Sequence, residues 1–142
     1  MGKLIKLSQK ENTPFALKIS DDIIKTTENV SVREVAKILE ENRVGAVIIE
    51  REGNLVGIIS ERDIVWRVVA LGKSPDDTKA SEIMTRNVVT VDLAEGMDKI
   101  YDVMKKLPFR HLPIRKGNRV IGMVSNRDLM YLRKLKAVQK ID

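Results

Sequence analysis

The sequence contains the stretch Gly57-Ile58-Ile59-Ser60-Glu61-Arg62-Asp63 and repeats it 65 residues later as Gly122-Met123-Val124-Ser125-Asn126-Arg127-Asp128. Four positions are identical, namely Gly, Ser, Arg and Asp, and the other three hold two apolar residues and one polar residue. Self-similarity of this kind predicts an architecture made of one duplicated unit. The function of the chain should therefore depend on what the duplication builds.

The duplication extends well beyond the motif. The helically spaced residues Val32, Val35, Ala36 and Leu39 align with Met97, Ile100, Tyr101 and Met104. We predict a basic N-terminal extension at 1–15, repeat 1 at 16–72, a polar linker at 73–80, repeat 2 at 81–136 and a tail at 137–142.

Each repeat has a β-α-β-β-α pattern, which predicts an α/β (α+β) fold. The β-branched runs Ile23–Thr26 and Val88–Val91 predict short strands. Gly-Asn turns after Glu52 and Lys116 predict two hairpins, and a second helix is expected after each motif Ser. Pro113 lacks a backbone donor and should start a strand or lie at a sheet edge.

The composition excludes several classes of protein. There is no Cys, so disulfides, thiolate metal sites and Cys nucleophiles are excluded. No apolar run is long enough for a membrane span, and the first residues do not resemble a signal peptide, so a cytoplasmic location is expected. The net charge of +6 and the pI near 9.6 permit nucleic acid or anionic ligands as partners. The few aromatic residues are not interleaved with the basic runs, which weakens a single-strand stacking surface.

The repeated motif is a strand that leads into a helix, and two interpretations stay open. Ser at the helix start, free backbone N–H groups and the Arg two residues later would suit a phosphate, while the Asp could accept ribose hydroxyls. Gly at the first position would allow a flat ligand or another backbone to approach closely. Alternatively, Ser-x-x-Asp is a capping box that any well-formed helix could carry.

The order and duplication of these elements resemble the CBS-domain pair, also called a Bateman module, over residues 16–136. Ser81-Glu82-Ile83-Met84-Thr85 resembles the segment that leads into a family repeat, and Ala16-Leu17-Lys18-Ile19-Ser20 matches it less well. The resemblance implies two repeats packed with pseudo-two-fold symmetry. It also implies adenosine-containing ligands such as AMP, ADP, ATP or S-adenosylmethionine in two clefts, with no other cofactor required and no metal.

The resemblance also implies the site residues, each motif facing the other repeat. Site 1 would contain Ile58, Ser60, Arg62, Asp63, Thr85, Val88, Arg110 and His111. Site 2 would contain Ser20, Ile23, Val44, Gly45, Met123, Ser125, Arg127 and Asp128. Ile58 and Met123 would contact adenine. Because the two basic residues Arg110 and His111 belong to site 1, we expect that site to prefer more phosphorylated ligands.

No catalytic motif is present, whether HExxH, P-loop or GxSxG, so we expect a regulatory module rather than an enzyme. Its output would act on a separate effector protein. The apolar residues around Trp66 predict core packing first and a homodimer interface second. The alternative function is a nucleic-acid-binding or scaffold protein that uses its basic tails, with the CBS pair structural.

Overall fold

A computed structural model gives the structure of the protein and describes residues 3–6, 16–19, 23–106 and 111–126. The strands are β1 (Lys3–Lys6), β2 (Ala16–Ile19), β3 (Lys25–Thr27), β4 (Ala46–Arg51), β5 (Asn54–Ser60), β6 (Val91–Asp92), β7 (His111–Lys116) and β8 (Arg119–Ser125). The helices are α1 (Val32–Asn42), α2 (Glu61–Ile64), α3 (Ala80–Ile83) and α4 (Gly96–Lys106), with a π-helical segment at Val65–Val69 and a 3-10 turn at Leu93–Glu95. The mixed α and β content, with the strand-helix-strand-strand order given twice, confirms the predicted fold class.

The chain divides into two compact units. The contiguous unit is Ile24–Val88, and the split unit joins Met1–Ile23 to Val89–Asp142. The contiguous unit has a three-stranded sheet in the order β3-β4-β5, in which β3 and β4 are parallel and β4 and β5 antiparallel. The strand predicted at Ile23–Thr26 begins two residues later, because its bounds are set by pairing with β4 rather than by β-branching.

Helix α1 packs its apolar face against this sheet. Val32, Val35 and Leu39 are buried at helical spacing and join a core cluster with β4 and β5, as the sequence predicts. The Ser31 hydroxyl caps the helix by accepting a hydrogen bond from the Glu34 N–H at 3.1 Å. The predicted hairpin after it is confirmed, and its turn residues Glu52 and Gly53 have φ values of 52° and 79°. Positive φ at both central residues is typical of a type I′ turn.

The split unit has a five-stranded sheet in the order β1-β2-β8-β7-β6. Helix α4 is confirmed, with Met97, Ile100 and Met104 buried against β7 and β8. The strand predicted at Val88–Val91 is wrong for its first three residues, because β6 covers only Val91 and Asp92. The helix predicted after Ser125 lies outside the described residues, apart from Asn126.

Pro113 was predicted to start a strand or to lie at a sheet edge, and it is the third residue of β7. On one side, β7 pairs with β8 and places Pro113 opposite Met123. On the other side, β6 pairs only with Ile114 and Arg115. Pro113 therefore lies beyond the end of β6, at a local edge, where a missing N–H removes no bond of that ladder.

Each segment that leads into a repeat belongs to a different unit from the strand that follows it in sequence. Ala80, Ile83 and Met84, which open repeat 2, are buried in the core of the contiguous unit. Strand β2, which opens repeat 1, pairs with β8 in the split unit, where Ile19 lies opposite Gly122. The repeat boundaries, which follow the sequence duplication, stay a prediction.

The polar linker is folded against the first turn of α1. The N–H of Val32 donates to the carbonyl of Thr78 at 2.8 Å, and the N–H of Arg33 donates to Pro75 at 3.1 Å. The Arg33 guanidinium binds the Asp76 carboxylate, and Thr78 is buried. The linker thus supplies acceptors to N–H groups that a helix start leaves unpaired, and it holds α3 beside the sheet.

Candidate functional site

The first copy of the motif lies where β5 ends and α2 begins. The backbone N–H of Ser60 donates to Asp63 Oδ2 at 2.8 Å, and the N–H of Asp63 donates to Ser60 Oγ at 3.3 Å. This reciprocal pair is a capping box, so the structural interpretation of Ser-x-x-Asp is confirmed. A third N–H of this turn, on Glu61, donates to the carbonyl of Gly45 at 3.0 Å.

These hydrogen bonds leave fewer backbone donors for the predicted phosphate site. The N–H groups of Ser60, Glu61 and Asp63 already have acceptors within the chain, so the expectation that they are free is wrong. An anion at this turn would depend more on side chains than on the helix start. Gly45, assigned to site 2 from the sequence, lies beside the motif helix of the contiguous unit.

The Asp63 carboxylate has two differently occupied oxygens. Oδ2 accepts from the backbone and from the hydroxyl of Ser60, at 2.8 and 3.1 Å. Oδ1 lies 3.6 Å from Nε of Arg67, which is longer than a hydrogen bond. The side chain of Asp63 is 15% exposed. Oδ1 therefore retains capacity to accept a hydroxyl donor, in an orientation fixed by the cap.

The Arg62 guanidinium lies over the ring of Trp66, with Cζ 4.9 Å from the ring centroid. This distance is within the range of a cation–π interaction. Residues four apart share a helix face, so Arg62 stacks on Trp66 while Asp63 faces Arg67. The assignment of Arg62 to a phosphate stays a prediction, and a ligand would have to draw the guanidinium from the ring.

The segment leading into repeat 2 runs along β5. Ile58 and Thr85 exchange two backbone hydrogen bonds, of 3.0 and 2.9 Å, so two residues assigned to site 1 are neighbours. One residue earlier on each side, Gly57 lies against the side chain of Met84. Gly57 was predicted to admit a flat ligand or a backbone. What approaches it is a buried Met side chain of the same unit.

A cavity of about 350 Å³ lies at the other end of β5. Its walls combine cationic, amide and apolar groups: Arg51, Leu55, Val56, Arg86, Asn87 and Val88. The Arg51 guanidinium binds both oxygens of Glu28 at 2.7 Å, and this bond holds the pKa of Glu28 below its usual value. Val88 brings one predicted site residue to this cavity. The charge of Arg51 is thus paired with Glu28, while Arg86 donates to the carbonyl of Ser81 at 3.1 Å.

The remaining predicted residues divide between the units. His111 begins β7 in the split unit, which also contains Ile23, Met123 and Ser125. Val44 precedes β4 in the contiguous unit. Ser20, Arg110, Arg127 and Asp128 lie outside the described residues. Both site assignments, and the preference of site 1 for phosphorylated ligands, stay predictions.

Sequence reasoning missed two residues near the motif. Arg67 donates from Nη1 to the carbonyl of Ile83 at 2.8 Å as well as approaching Asp63. The spacing of Asp63 and Arg67, four residues apart in a helix, was the available signal. Met84 had no such signal, because its contact with Gly57 joins distant parts of the chain.

Neither a metal-binding cluster nor a membrane-spanning helix is present in the part of the chain that the structure describes. No three His, Asp or Glu side chains there are grouped closely enough to hold a metal ion. None of the helices described is both long and apolar enough to cross a bilayer.

The sequence is similar to those of several known proteins. An uncharacterized protein of Methanopyrus kandleri is 34% identical over 111 residues, which cover 77% of this chain and 57% of that protein. YlbB of Bacillus subtilis is 32% identical over 101 residues, which cover 70% of this chain and 68% of YlbB. The chain thus spans little more than half of the first relative's length.

Solved structures are similar as well. The CBS domain pair of MJ0100, in complex with 5′-methylthioadenosine and S-adenosyl-L-methionine, is 34% identical with a TM-score of 0.70, covering 80% of this chain and 93% of that chain. The family model of the CBS domain matches residues 16–70 and again residues 80–134. The chain therefore belongs to the CBS-domain family and carries the domain twice.

Proposed function

We propose that this chain is a regulatory module that binds an adenosine-containing ligand beside Asp63 and signals to a separate partner protein. The candidate ligands are AMP, ADP, ATP and S-adenosylmethionine. The observation that carries the proposal is the Asp63 carboxylate, whose Oδ2 is fixed by Ser60 while Oδ1 keeps acceptor capacity. A carboxylate held this way suits the vicinal hydroxyls of a ribose.

The surroundings of Asp63 support the same ligand class. Ile58, on the strand that leads to it, pairs with Thr85 of the neighbouring segment, and this segment continues to Val88 in the wall of the 350 Å³ cavity at the far end of β5. Apolar walls next to a few polar groups are typical of small-molecule sites. MJ0100, which shares the fold at 34% identity, binds two adenosine compounds, and this supports the choice of ligand.

Signalling would work by linkage. A ligand that binds one arrangement of the module more tightly shifts the population toward that arrangement, and a partner that reads the arrangement responds. The proposal requires no catalytic group, so the module is proposed to bind its ligand without turning it over.

We also propose that the module forms a homodimer through the surface that follows the motif. Val65, Trp66, Val69 and Leu71 are between 52% and 65% exposed, whereas Val68 between them is buried. The first prediction, core packing, therefore holds only for Val68. A cluster of four large apolar side chains in water favours a protein partner, and a second copy presents the same cluster.

Calorimetry with AMP, ATP, 5′-methylthioadenosine and S-adenosylmethionine tests the ligand proposal. We expect Asp63→Ala to weaken binding at least about tenfold, because a hydrogen bond to a charged group is lost. Asp63→Asn keeps an acceptor for the cap and separates loss of binding from loss of folding. Glu82→Ala is the matched control, since Glu82 closes a similar cap by accepting from the Lys79 N–H at 2.6 Å.

Two results would contradict the proposal. The wild-type protein could bind none of the four compounds, or Asp63→Asn and Glu82→Ala could have equal effects on binding. The first result, combined with RNA or DNA binding that weakens steeply with salt, would favour the nucleic-acid function instead.

A further inference from the structure

The Arg67 side chain connects the motif helix to the segment that leads into repeat 2. Its Nη1 donates to the carbonyl of Ile83, the last residue of α3, at 2.8 Å. Its Nε lies 3.6 Å from Asp63 Oδ1. One guanidinium therefore spans from the motif helix to the segment that leads into repeat 2.

The two ends of this connection are close to groups of the proposed site. Asp63 is the proposed ribose acceptor. Ile83 lies two residues before Thr85, whose N–H and carbonyl both bond to Ile58. The planar guanidinium donates to the Ile83 carbonyl through Nη1 and forms an ion pair with the Asp63 carboxylate through Nε, so one side chain attracts both groups. A lysine, with one compact charge, does not impose this geometry.

The groups at the two ends of the connection are themselves held in place. Asp63 Oδ2 accepts hydrogen bonds from the backbone and the hydroxyl of Ser60. Ile83 and Met84 are buried, which anchors the other end of the connection. Arg67 itself lies in the π-helical segment, and such segments occur frequently at functional sites.

The second copy of the motif differs in sequence at this position. The shift of 65 residues that aligns Asp63 with Asp128 aligns Arg67 with Leu132, whose side chain has no donor. Arg62 and Trp66 align with Arg127 and Tyr131, so the cationic and aromatic pair is retained. Arg67 is therefore a feature of the first motif that the second lacks.

We infer that Arg67 is a positioning residue that fixes Asp63 and Thr85 relative to one another and so pre-organises the ligand site of the first motif. The inference rests on the proposed function. It adds that the site at Asp63 is positioned by a residue outside the motif, and that the second motif has Leu132 at the aligned position.

The first test needs no ligand. Amide hydrogen exchange of Thr85, whose N–H donates to Ile58, is measured in the wild type and in Arg67→Leu. We expect exchange of the Thr85 amide to become about tenfold faster, since a charge-assisted hydrogen bond no longer holds the segment. Exchange of the Ile48 amide, which donates to Ile24 in the sheet, should not change.

Arg33→Leu is the matched control, because it also removes an arginine that forms an ion pair in this unit. It should leave the Thr85 amide unaffected, and Arg67→Lys should give exchange between that of the wild type and of Arg67→Leu. Unchanged Thr85 exchange in Arg67→Leu would overturn the inference, whatever the protein binds.

The second test measures S-adenosylmethionine and ATP binding by calorimetry in two backgrounds. In Asp128→Ala, where the Asp63 site remains, Arg67→Leu should weaken binding about tenfold. In Asp63→Ala, where the Asp128 site remains, Arg67→Leu should have no effect. Equal losses in the two backgrounds, or no loss in the first, would overturn the inference. If the wild type binds neither compound, the proposed function fails while the exchange experiment still decides whether Arg67 holds the segment.

Discussion

Gly57 and Met84 are in close contact across β5 and the segment that follows α3. A Cβ built on Gly57 would lie 2.5 Å from Sδ of Met84 and 2.8 Å from its Cγ. Met84 is only 5% exposed, so its side chain has little room to move away. The first glycine of the motif is thus required by packing within the unit.

Gly57→Ala should destabilise the protein by about 1–3 kcal/mol, because the added methyl group overpacks a buried contact. The measurement is urea denaturation followed by circular dichroism. A double-mutant cycle with Met84→Ala supplies the control. The double variant should be less destabilised than the sum of the two single changes, with a coupling of about 1 kcal/mol. Additive effects would show that the contact does not limit the residue at position 57.

Ser60→Ala should lower the free energy of unfolding by about 1 kcal/mol, since it removes the hydroxyl that caps α2. Ser31→Ala is the matched variant, because Ser31 caps α1 with the same type of bond, accepting from the Glu34 N–H at 3.1 Å. Thermal melts measure the two losses, which should be similar. Binding of S-adenosylmethionine should weaken only in Ser60→Ala, and an equal loss in both variants would argue against a ligand role for Ser60.

Stability should fall in acid through the ion pair of Glu28 and Arg51. The hydrogen bond from Arg51 lowers the pKa of Glu28 below its usual 4.5, so the unfolded chain binds a proton more readily than the folded one. This contribution is fully present above pH 4.5 and is lost as the pH falls through the lower, folded-state pKa.

Glu28→Gln should therefore flatten the dependence of stability on pH below pH 4.5, measured by urea denaturation. Arg51→Met should flatten it similarly, because it removes the partner. Asp92 and Arg115 form a similar ion pair between β6 and β7. The pKa of Asp92 is also lowered, and the main cause is the hydrogen bond from the backbone N–H of Ala94. A slope unchanged in Glu28→Gln would contradict the assignment.

Val69→Glu should shift the protein from dimer to monomer in analytical ultracentrifugation. Val69 is 64% exposed in the cluster with Trp66, and a carboxylate at a dimer interface would be buried without a partner. We expect the dimer dissociation constant to rise at least about tenfold. Val89→Glu is the control, because Val89 is a partly exposed valine that lies outside this cluster. A monomeric wild type at high concentration would rule out the homodimer.

Local patterns in the sequence predicted the elements well. The spacing of Val32, Val35 and Leu39 predicted α1 and its buried face, and Ser60 with Asp63 predicted the start of α2. These features depend on residues within one or two helical turns, where periodicity and capping are informative. The strand at β6 was predicted less well, because pairing with β7 determines how far it extends.

The candidate site could be predicted only in part. Asp63 was assigned as a ribose acceptor from the motif, and this stays a prediction. The N–H groups around it were expected to be free, but those of Glu61 and Asp63 donate to the Gly45 carbonyl and the Ser60 hydroxyl. Arg62 was assigned to a phosphate, while the structure places it on Trp66 because the aromatic face lies one helical turn away. Ile83 and Met84 pack near the motif although they are distant from it in sequence. Such tertiary contacts cannot be predicted from local sequence patterns.

The arrangement of the lead-in segments has a consequence for synthesis on the ribosome. Every element of the contiguous unit is available once Val88 has left the exit tunnel, so this unit can fold while the rest of the chain is still being made. Strand β2 is made before that unit, but its partner β8 is made after it, and Ile19 must wait for Gly122. Strand β2 therefore joins its sheet only after β8 has been made, and the order of folding does not follow the order of translation.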